Sequence, residues 1–161
     1  MPAPGPEEVT GEVTDESGIA ATAFGEDGPA PVVIAWSDVP SEEAGPGVRR
    51  QVIHGGRQTM IRYVYSPGAV FANHAHPQEQ VTVVLRGRIA FEIAGRDGRL
   101  DRVEMGPGQV AVIPGGVAHG AAVVGDEVVE TMNTLSPRRD LAPGAARPDH
   151  APPAAAQETS R

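Results

Sequence analysis

Three of the five histidines of this 161-residue chain lie in two short segments whose spacing could bind a metal ion. His74 and His76 are two residues apart, and side chains two apart on a β-strand point to the same face. Two imidazoles placed in this way can converge on one ion, with metal–nitrogen bonds of about 2 Å. Gln80 has the same parity as the two histidines, so it would lie on their face if the strand continued.

The third histidine follows a sharp reversal of the chain. His119 comes shortly after Pro114-Gly115-Gly116, and glycines permit the positive φ angles of a tight turn. Such a turn can bring His119 from a distant strand to the first two histidines. A lone histidine is usually structural, whereas two segments with this spacing predict one shared cation.

The elements that must position these side chains are strands. Val and Ile total 27 residues against 8 for Leu and Met, and β-branched side chains suit a pleated sheet. Short apolar runs recur between glycine- and proline-rich turns, a pattern typical of a sandwich or a barrel. No helix of useful length is indicated, so the predicted fold class is all-β. The predicted strands are Val32–Trp36, Val48–Ile53, Thr59–Tyr65, Gln80–Arg86, Ile89–Ile93, Leu100–Val103, Gln109–Ile113, Gly120–Val124 and Val128–Leu135.

The large apolar residues concentrate in the middle of the chain, which predicts a single domain at residues 31–140. Residues 1–30 carry seven acidic groups and no basic one, and residues 141–161 are dominated by Pro and Ala. Neither end can bury enough apolar surface to offset the entropy of ordering. Both ends are therefore predicted to be disordered tails.

Composition and charge exclude several classes of site and partner. The chain has no Cys, which excludes disulfides, thiolate metal sites and cysteine nucleophiles. A net charge of −8 without a basic cluster argues against nucleic-acid binding. No apolar run approaches the roughly 18 residues that a membrane span needs. Residues 1–10 do not resemble a signal peptide, so a cytoplasmic location is expected.

The two histidine segments resemble the two motifs of the cupin superfamily. The first motif, G-x5-H-x-H-x3-E-x6-G, is matched at Gly68, His74, His76, Gln80 and Gly87. The second, G-x5-P-x-G-x2-H-x3-N, is matched at Gly108, Pro114, Gly116 and His119. The resemblance covers about residues 45–140. It implies a single-domain jelly-roll β-barrel, usually a homodimer, that holds one divalent metal ion and acts on a small molecule.

Two positions depart from these motifs, and one of them changes the charge of the expected site. Gln80 replaces the usual Glu, and Val123 replaces an Asn that is not generally a ligand. Three histidines and Gln80 are all neutral donors, so the ion keeps its full charge, which favours Lewis-acid chemistry over the two-His-one-carboxylate oxygenases. Glu79 is the competing fourth ligand if Pro77 introduces a bulge. Zn, Mn, Fe and Ni all remain open as the metal.

Within the cupins, residues 74–80 (HAHPQEQ) resemble an HxHPxEQ subgroup. That subgroup includes small polyketide cyclases and pectin-degradation proteins that open unsaturated uronate rings, and some manganese-dependent hydroxynitrile lyases also use three His and one Gln. The resemblance implies a metal-dependent cyclase, isomerase or lyase, with polyketide cyclase-like activity as the first hypothesis. A dioxygenase, a uronate ring-opening isomerase and a non-catalytic metabolite-binding module stay open as alternatives.

The end of the domain contains one candidate catalytic residue. Residues 135–140 (LSPRRD) resemble the F-S-P-x-R-x-D ending of the ring-opening group. That resemblance implies that Arg139 lies near the substrate as an anion clamp, since guanidinium binds carboxylates bidentately. The alternative is a solvated pair with Arg138. Asn133 stands where that group often has an Asp, and an amide cannot exchange a proton at ordinary pH.

Tyr63 is the second catalytic candidate. It shares a strand face with Tyr65 and could act as an acid or base if that face lines the cavity. The opposite face carries Met60, Arg62 and Val64, and the sequence does not decide between the two faces. His54 is interpreted as a loop or edge residue, and His150 as part of the C-terminal tail.

Overall fold

A computed structural model describes residues 20–22, 32–95 and 97–141. These residues form eleven strands in two sheets and one short 3-10 helix, Trp36–Asp38. The strands are β1 Ala20–Thr22, β2 Glu42–Gly45, β3 Val48–His54, β4 Thr59–Tyr65, β5 Val70–His74, β6 Glu79–Arg86, β7 Ile89–Ala94, β8 Leu100–Met105, β9 Val110–Ile113, β10 His119–Val123 and β11 Val129–Ser136. The prediction of an all-β fold is confirmed.

The two sheets are connected as in a jelly roll. The larger sheet has the strand order β1-β3-β4-β11-β6-β9, with β2 also paired to β3, and the smaller has the order β5-β10-β7-β8. The chain changes sheet after β4, β5, β6, β8, β9 and β10. These crossings bring distant segments into contact, because successive strands face each other across the interior. Every pairing is antiparallel except the one between β1 and β3.

Alternation of buried and exposed side chains defines the interior of the larger sheet. Strands β3, β4 and β11 each bury every second residue. In β4 the buried set includes Tyr63 and Tyr65, whereas Met60 is 39% exposed. The tyrosine face therefore points inward, a choice that the sequence left open. The apolar part of the interior includes Val48, Val52, Ile61, Val84, Ile89, Phe91, Ile113, Val129 and Leu135.

Eight of the nine predicted strands occur, with ends within two residues of the predicted ones. The prediction at Val32–Trp36 is wrong, since residues 32–35 are not a strand and Trp36 begins the 3-10 helix. The carbonyl oxygens of Trp36 and Val39 accept hydrogen bonds, each of 2.7 Å, from the Gln51 side chain. No strand of the described residues pairs with this apolar run, so it lacks the ladder of hydrogen bonds that a strand needs.

Three observed strands, β1, β2 and β5, are not among the predicted strands. Strand β1 lies inside the predicted N-terminal tail and pairs in parallel with the end of β3. Leu141 packs partly buried against the core. The remaining predicted tail residues, His150 included, lie outside the described residues. The described residues contain no helix with the length and apolar character needed to span a membrane.

Candidate metal centre

His74, His76 and His119 meet at one point between the two sheets. Each histidine offers one ring nitrogen, and these three atoms lie within 4.8 Å of one another. The ring centroids are 4.6–5.6 Å apart. His76 and His119 are buried and His74 is half-buried. The structure thus brings the three sequence-predicted histidines together; among the described residues this is the one cluster of three or more His, Asp or Glu with such spacing.

Strand pairing places two of the three histidines side by side. His74 ends β5, His119 begins β10, and the two residues are partners in the antiparallel ladder. The ladder is irregular just after this pair, where Gly120 lies against β5. A Cβ atom on Gly120 would stand 3.1 Å from the Phe71 carbonyl oxygen and 3.2 Å from the backbone of Asn73. The close approach of the two strands therefore depends on the missing side chain.

The turn before β10 holds the remaining histidine. His76 lies between β5 and β6, and its carbonyl oxygen accepts a 2.7 Å hydrogen bond from the N–H of Gly116. A Cβ atom on Gly115 would meet the backbone carbonyl of Pro77. The Pro-Gly-Gly turn therefore fastens the His76 backbone to the segment that leads into His119. This is the mechanism by which a turn brings the third imidazole to the first two.

Backbone carbonyls fix the tautomer of all three histidines. Each Nδ1 donates to a carbonyl oxygen at 2.9–3.0 Å, because a carbonyl can only accept; the pairs are His74 with Ala72, His76 with Gln78 and His119 with Val117. Each Nε2 therefore carries a bare lone pair. The Nε2 of His119 is buried and has no partner among the described residues. Such second contacts to Nδ1 are typical of histidines that ligate metals through Nε2.

Burial keeps the three histidines neutral. It is the largest cause of the shift that lowers the pKa of His74 to about 4, and the neighbouring imidazoles and Arg139 contribute to the same shift. Burial is also the largest cause of the lowered pKa values of His76 and His119, and the charge of Arg139 adds to both. A neutral imidazole is the form that binds a metal ion. The cluster is therefore in its ligating form at neutral pH.

Gln80 completes the cluster from the larger sheet. Its side chain is buried, whereas neighbouring Glu79 is exposed. The Gln80 amide donates a 2.9 Å hydrogen bond to the Thr82 hydroxyl, which points its Oε1 towards Nε2 of His76 at 3.3 Å. Both atoms present lone pairs, and a cation between them would convert their repulsion into coordination. Parity alone does not place Gln80 here, because residues 75–78 interrupt the strand and Gln80 belongs to the opposite sheet.

The residues present therefore fit a divalent cation. Three bare imidazole nitrogens and one amide oxygen are a donor set that Zn, Mn, Fe or Ni accepts. The cluster opens into a cavity whose walls include Tyr63, Tyr65, Phe71, Phe91 and Asn133. No carboxylate lies among the residues that line it.

Arg139 lies near this cavity, just after β11. Its charge lowers the pKa of all three clustered histidines, whereas the Arg138 side chain pairs with Asp140 at 2.8 Å. The Thr59 hydroxyl donates to the Arg139 carbonyl at 2.8 Å and accepts from the Arg139 N–H at 3.1 Å. His54 is buried beneath this contact, with Nδ1 3.1 Å from the same hydroxyl, so its interpretation as a loop or edge residue is wrong.

One buried ion pair near the cavity was not predicted from the sequence. Arg50 is only 3% exposed, and its Nε donates to Glu42 at 2.5 Å. The signal was present in the alternation of β3, because Arg50 stands between Val48 and Val52 with inward parity. A charged residue at such a position is unusual in a core and points to a specific partner.

Comparison with known proteins agrees with the fold and the motifs. The family model described as "Cupin domain" matches residues 61–135. The fold is similar to that of KdgF from Halomonas sp., with a TM-score of 0.61 and 23% identity over 69% of this chain and 97% of that one. An RmlC-like cupin from Shewanella frigidimarina NCIMB 400 gives a TM-score of 0.59 and 22% identity, over 69% and 95% of the two chains.

A third solved structure is more distant. Oxalate decarboxylase OxdC of Bacillus subtilis gives a TM-score of 0.60 and 17% identity, over 65% of this chain but only 29% of its own. No curated protein sequence matches the chain significantly. Three findings agree with one another: the matched domain model, the fold shared with these cupins, and the two histidine segments in register with the cupin motifs. The predicted resemblance to the cupins is confirmed: residues 61–135 match the cupin domain model, and the described residues share the fold of these cupin structures.

Proposed function

We propose that the protein is a metal-dependent enzyme that carries out non-redox chemistry on a small oxygenated molecule. His74, His76, His119 and Gln80 would hold one divalent ion, which supplies Lewis-acid polarisation of substrate oxygens when bound. The observation that carries the proposal is the convergence of bare Nε2 atoms without any carboxylate beside them. Cyclisation, isomerisation and lyase reactions all suit such a site, and polyketide cyclase-like activity is our first choice among them.

The cavity walls supply the remaining functions. Tyr63 and Tyr65 are buried beside aromatic rings, which exclude water from the reacting atoms. Burial raises the pKa of Tyr63 although Arg50 and Arg139 partly oppose this, so the hydroxyl keeps its proton at neutral pH and can donate it. Arg139 adds a positive charge near the cluster, which favours a substrate that carries or develops negative charge.

Elemental analysis of the protein purified without added metal tests this proposal, together with an oxygen-uptake assay. We expect one equivalent of Zn or Mn per chain and no oxygen consumption with the metal-loaded protein. Iron together with substrate-dependent oxygen uptake would assign the protein to the dioxygenases instead. A metal whose coordination sphere contains no exchangeable water would support the non-catalytic metabolite-binding alternative.

The fourth ligand is tested by a matched pair of variants. We expect Gln80→Ala to weaken metal binding by tenfold or more, and Glu79→Ala to leave it unchanged because Glu79 is exposed on the opposite face of β6. Competition with a chelating dye measures both affinities. The reverse order would remove the basis for a site made of neutral donors alone.

Ring opening of unsaturated uronates is a second candidate. The positive charge of Arg139, which lowers the pKa of His74, favours it, since a guanidinium can bind the carboxylate of a uronate. Asn133, which lines the cavity, opposes it because an amide cannot transfer a proton as a carboxylate does. Loss of ultraviolet absorbance on adding unsaturated uronate to the metal-loaded protein would select this reaction.

A further inference from the structure

Burying the ion pair of Arg50 and Glu42 costs the folded state desolvation free energy. Arg50 is 3% exposed and the Glu42 side chain is 17% exposed. Removing two charges from water costs as much as their mutual attraction returns, so apolar residues of similar volume often serve stability equally well. Stability alone therefore does not explain why a guanidinium occupies this interior position of β3.

The pairing leaves part of the Arg50 guanidinium without a partner. Its Nε donates to Glu42, whereas its Nη2 is buried and makes no hydrogen bond among the described residues. An unsatisfied buried donor costs about 1–3 kcal/mol, and more when the group is charged. Such a donor is explained if a bound ligand satisfies it.

Tyr63 connects this guanidinium to the cavity. Arg50 and Tyr63 are direct partners in the β3–β4 ladder, and both point inward. The guanidinium lies close enough to the Tyr63 hydroxyl to counteract the effect of burial on the pKa of that hydroxyl. Because Tyr63 lines the cavity, an anionic oxygen that accepts a hydrogen bond from its hydroxyl would also lie next to Arg50.

The charges around Tyr63 are positive overall. Glu42 neutralises Arg50, and the charge of Arg139 also acts on the Tyr63 hydroxyl. Arg139 forms no ion pair within the part of the chain that the structure describes, and no carboxylate lines the cavity. Arg50, Glu42 and Arg139 together carry one net positive charge, which suits a monoanion.

We propose that Arg50 and Tyr63 form an anion-binding subsite in the wall of the cavity, which takes a carboxylate of the substrate. Tyr63 donates a hydrogen bond from its hydroxyl to the carboxylate and Arg50 supplies the charge, while Glu42 holds the guanidinium in place. The substrate is then an organic acid whose other oxygens reach the histidine cluster. This inference deepens the proposed function and rests on it for the role of the cluster.

Acetate is the probe, and Tyr63 is the reporter. The chain has two tyrosines, so Tyr63 is the lone tyrosine in a Tyr65→Phe background, and its ring signals can be followed by NMR with labelled tyrosine. The full chain is titrated with sodium acetate and with neutral acetamide, both loaded with Zn²⁺ and after chelation. We expect acetate to shift the Tyr63 signals saturably in both forms, and acetamide to leave them unchanged.

A matched pair of double variants separates the subsite from general charge effects. Arg50→Met with Glu42→Gln removes the inner ion pair and should weaken acetate binding by about tenfold or more. Arg62→Met with Glu130→Gln removes an ion pair of similar geometry, 2.6 Å, on the outer side of the same sheet and should leave acetate binding unchanged. Arg50→Lys keeps the positive charge but lacks the planar guanidinium, so it should bind acetate with intermediate affinity. This single variant tests the subsite if the inner double variant does not fold.

Two results would overturn the subsite: no saturable effect of acetate, or equal acetate binding by the inner double variant, Arg50→Lys and the parent. The proposed function fails separately. If the chain takes up no metal while acetate binding still depends on Arg50, the subsite stands and the metal-dependent function falls. If metal binds at the histidines while acetate binding does not depend on Arg50, the metal-dependent function stands and the subsite falls.

Discussion

The two sheets that face each other across the cavity supply its chemistry in different ways. The larger sheet contributes Tyr63, Gln80 and Asn133 from β4, β6 and β11, which are paired on both sides. The smaller sheet contributes His74 and His119 from strand ends. Side chains of the larger sheet are held by continuous ladders, whereas the two histidines depend on a turn and on close backbone contacts. The histidine cluster is therefore more easily disrupted than the side chains that the larger sheet contributes.

Removing one histidine of the smaller sheet should have the largest effect on metal binding. His119→Ala deletes a buried ligand whose Nε2 has no other partner among the described residues, and we expect metal affinity to fall by more than about 100-fold, beyond the usual loss for an outer contact. Isothermal titration with Zn²⁺ measures the change. His54→Ala removes another buried histidine, outside the cluster, and is the control.

If both variants lose affinity equally, the cluster is not the binding site. Comparable losses would mean that buried histidines act through the stability of the barrel. The two sheets would then not differ in their contribution to metal binding.

The turn before β10 should be the next most sensitive point. An alanine at Gly115 must displace the backbone of Pro77, so Gly115→Ala should shift His76 relative to His119. We expect metal affinity to fall about 10–100-fold, as for other changes that misorient a ligand. Gly45→Ala is the control, because a Cβ atom there meets nothing within 4 Å. Unchanged affinity in Gly115→Ala would show that the turn yields without moving the histidines.

The same residues show how far the sequence could lead. The spacing of the histidines and the Pro-Gly-Gly turn are local features, so the amino-acid sequence was enough to predict the cluster. Gln80 was expected on the correct face although its strand belongs to the other sheet, because parity within β6 happens to continue that of His74 and His76. Arg50 could not be connected to Tyr63, since their contact depends on the register between β3 and β4.

A change in the larger sheet should have a smaller effect on the metal. Thr82→Val removes the hydroxyl that accepts the Gln80 amide hydrogen bond and so frees Oε1 to turn away from His76. We expect about a tenfold loss of metal affinity, the low end for an outer contact, with little change in unfolding because Val has a similar shape. Thr134→Val, in the partly exposed register of β11, is the control. A loss as large as that in His119→Ala would mean that the larger sheet determines the metal site as much as the smaller one does.

Acidification should have the smallest effect that distinguishes the two sheets. Among the described residues that line the cavity, histidines alone titrate between pH 4 and 7. Their pKa values are lowered in the folded chain, to about 4 for His74, against about 6.5 in the unfolded chain. Below pH 6.5 the unfolded state therefore binds more protons, and the free energy of unfolding of the metal-free protein falls as pH falls towards 4. Each such histidine contributes at most about 1.4 kcal/mol per pH unit.

Urea unfolding of the metal-free protein at pH 7, 6 and 5 measures this slope. A triple variant with Gln at positions 74, 76 and 119 should show a shallower fall. His54 contributes to the slope that remains, since burial lowers its pKa as well. The two tyrosines of the larger sheet contribute nothing to this slope, because burial raises the pKa of Tyr63 and Tyr65 away from the range. Parallel slopes in the two proteins would mean that the histidine cluster is solvated in the metal-free chain, and that the smaller sheet opens when no ion holds its strand ends together.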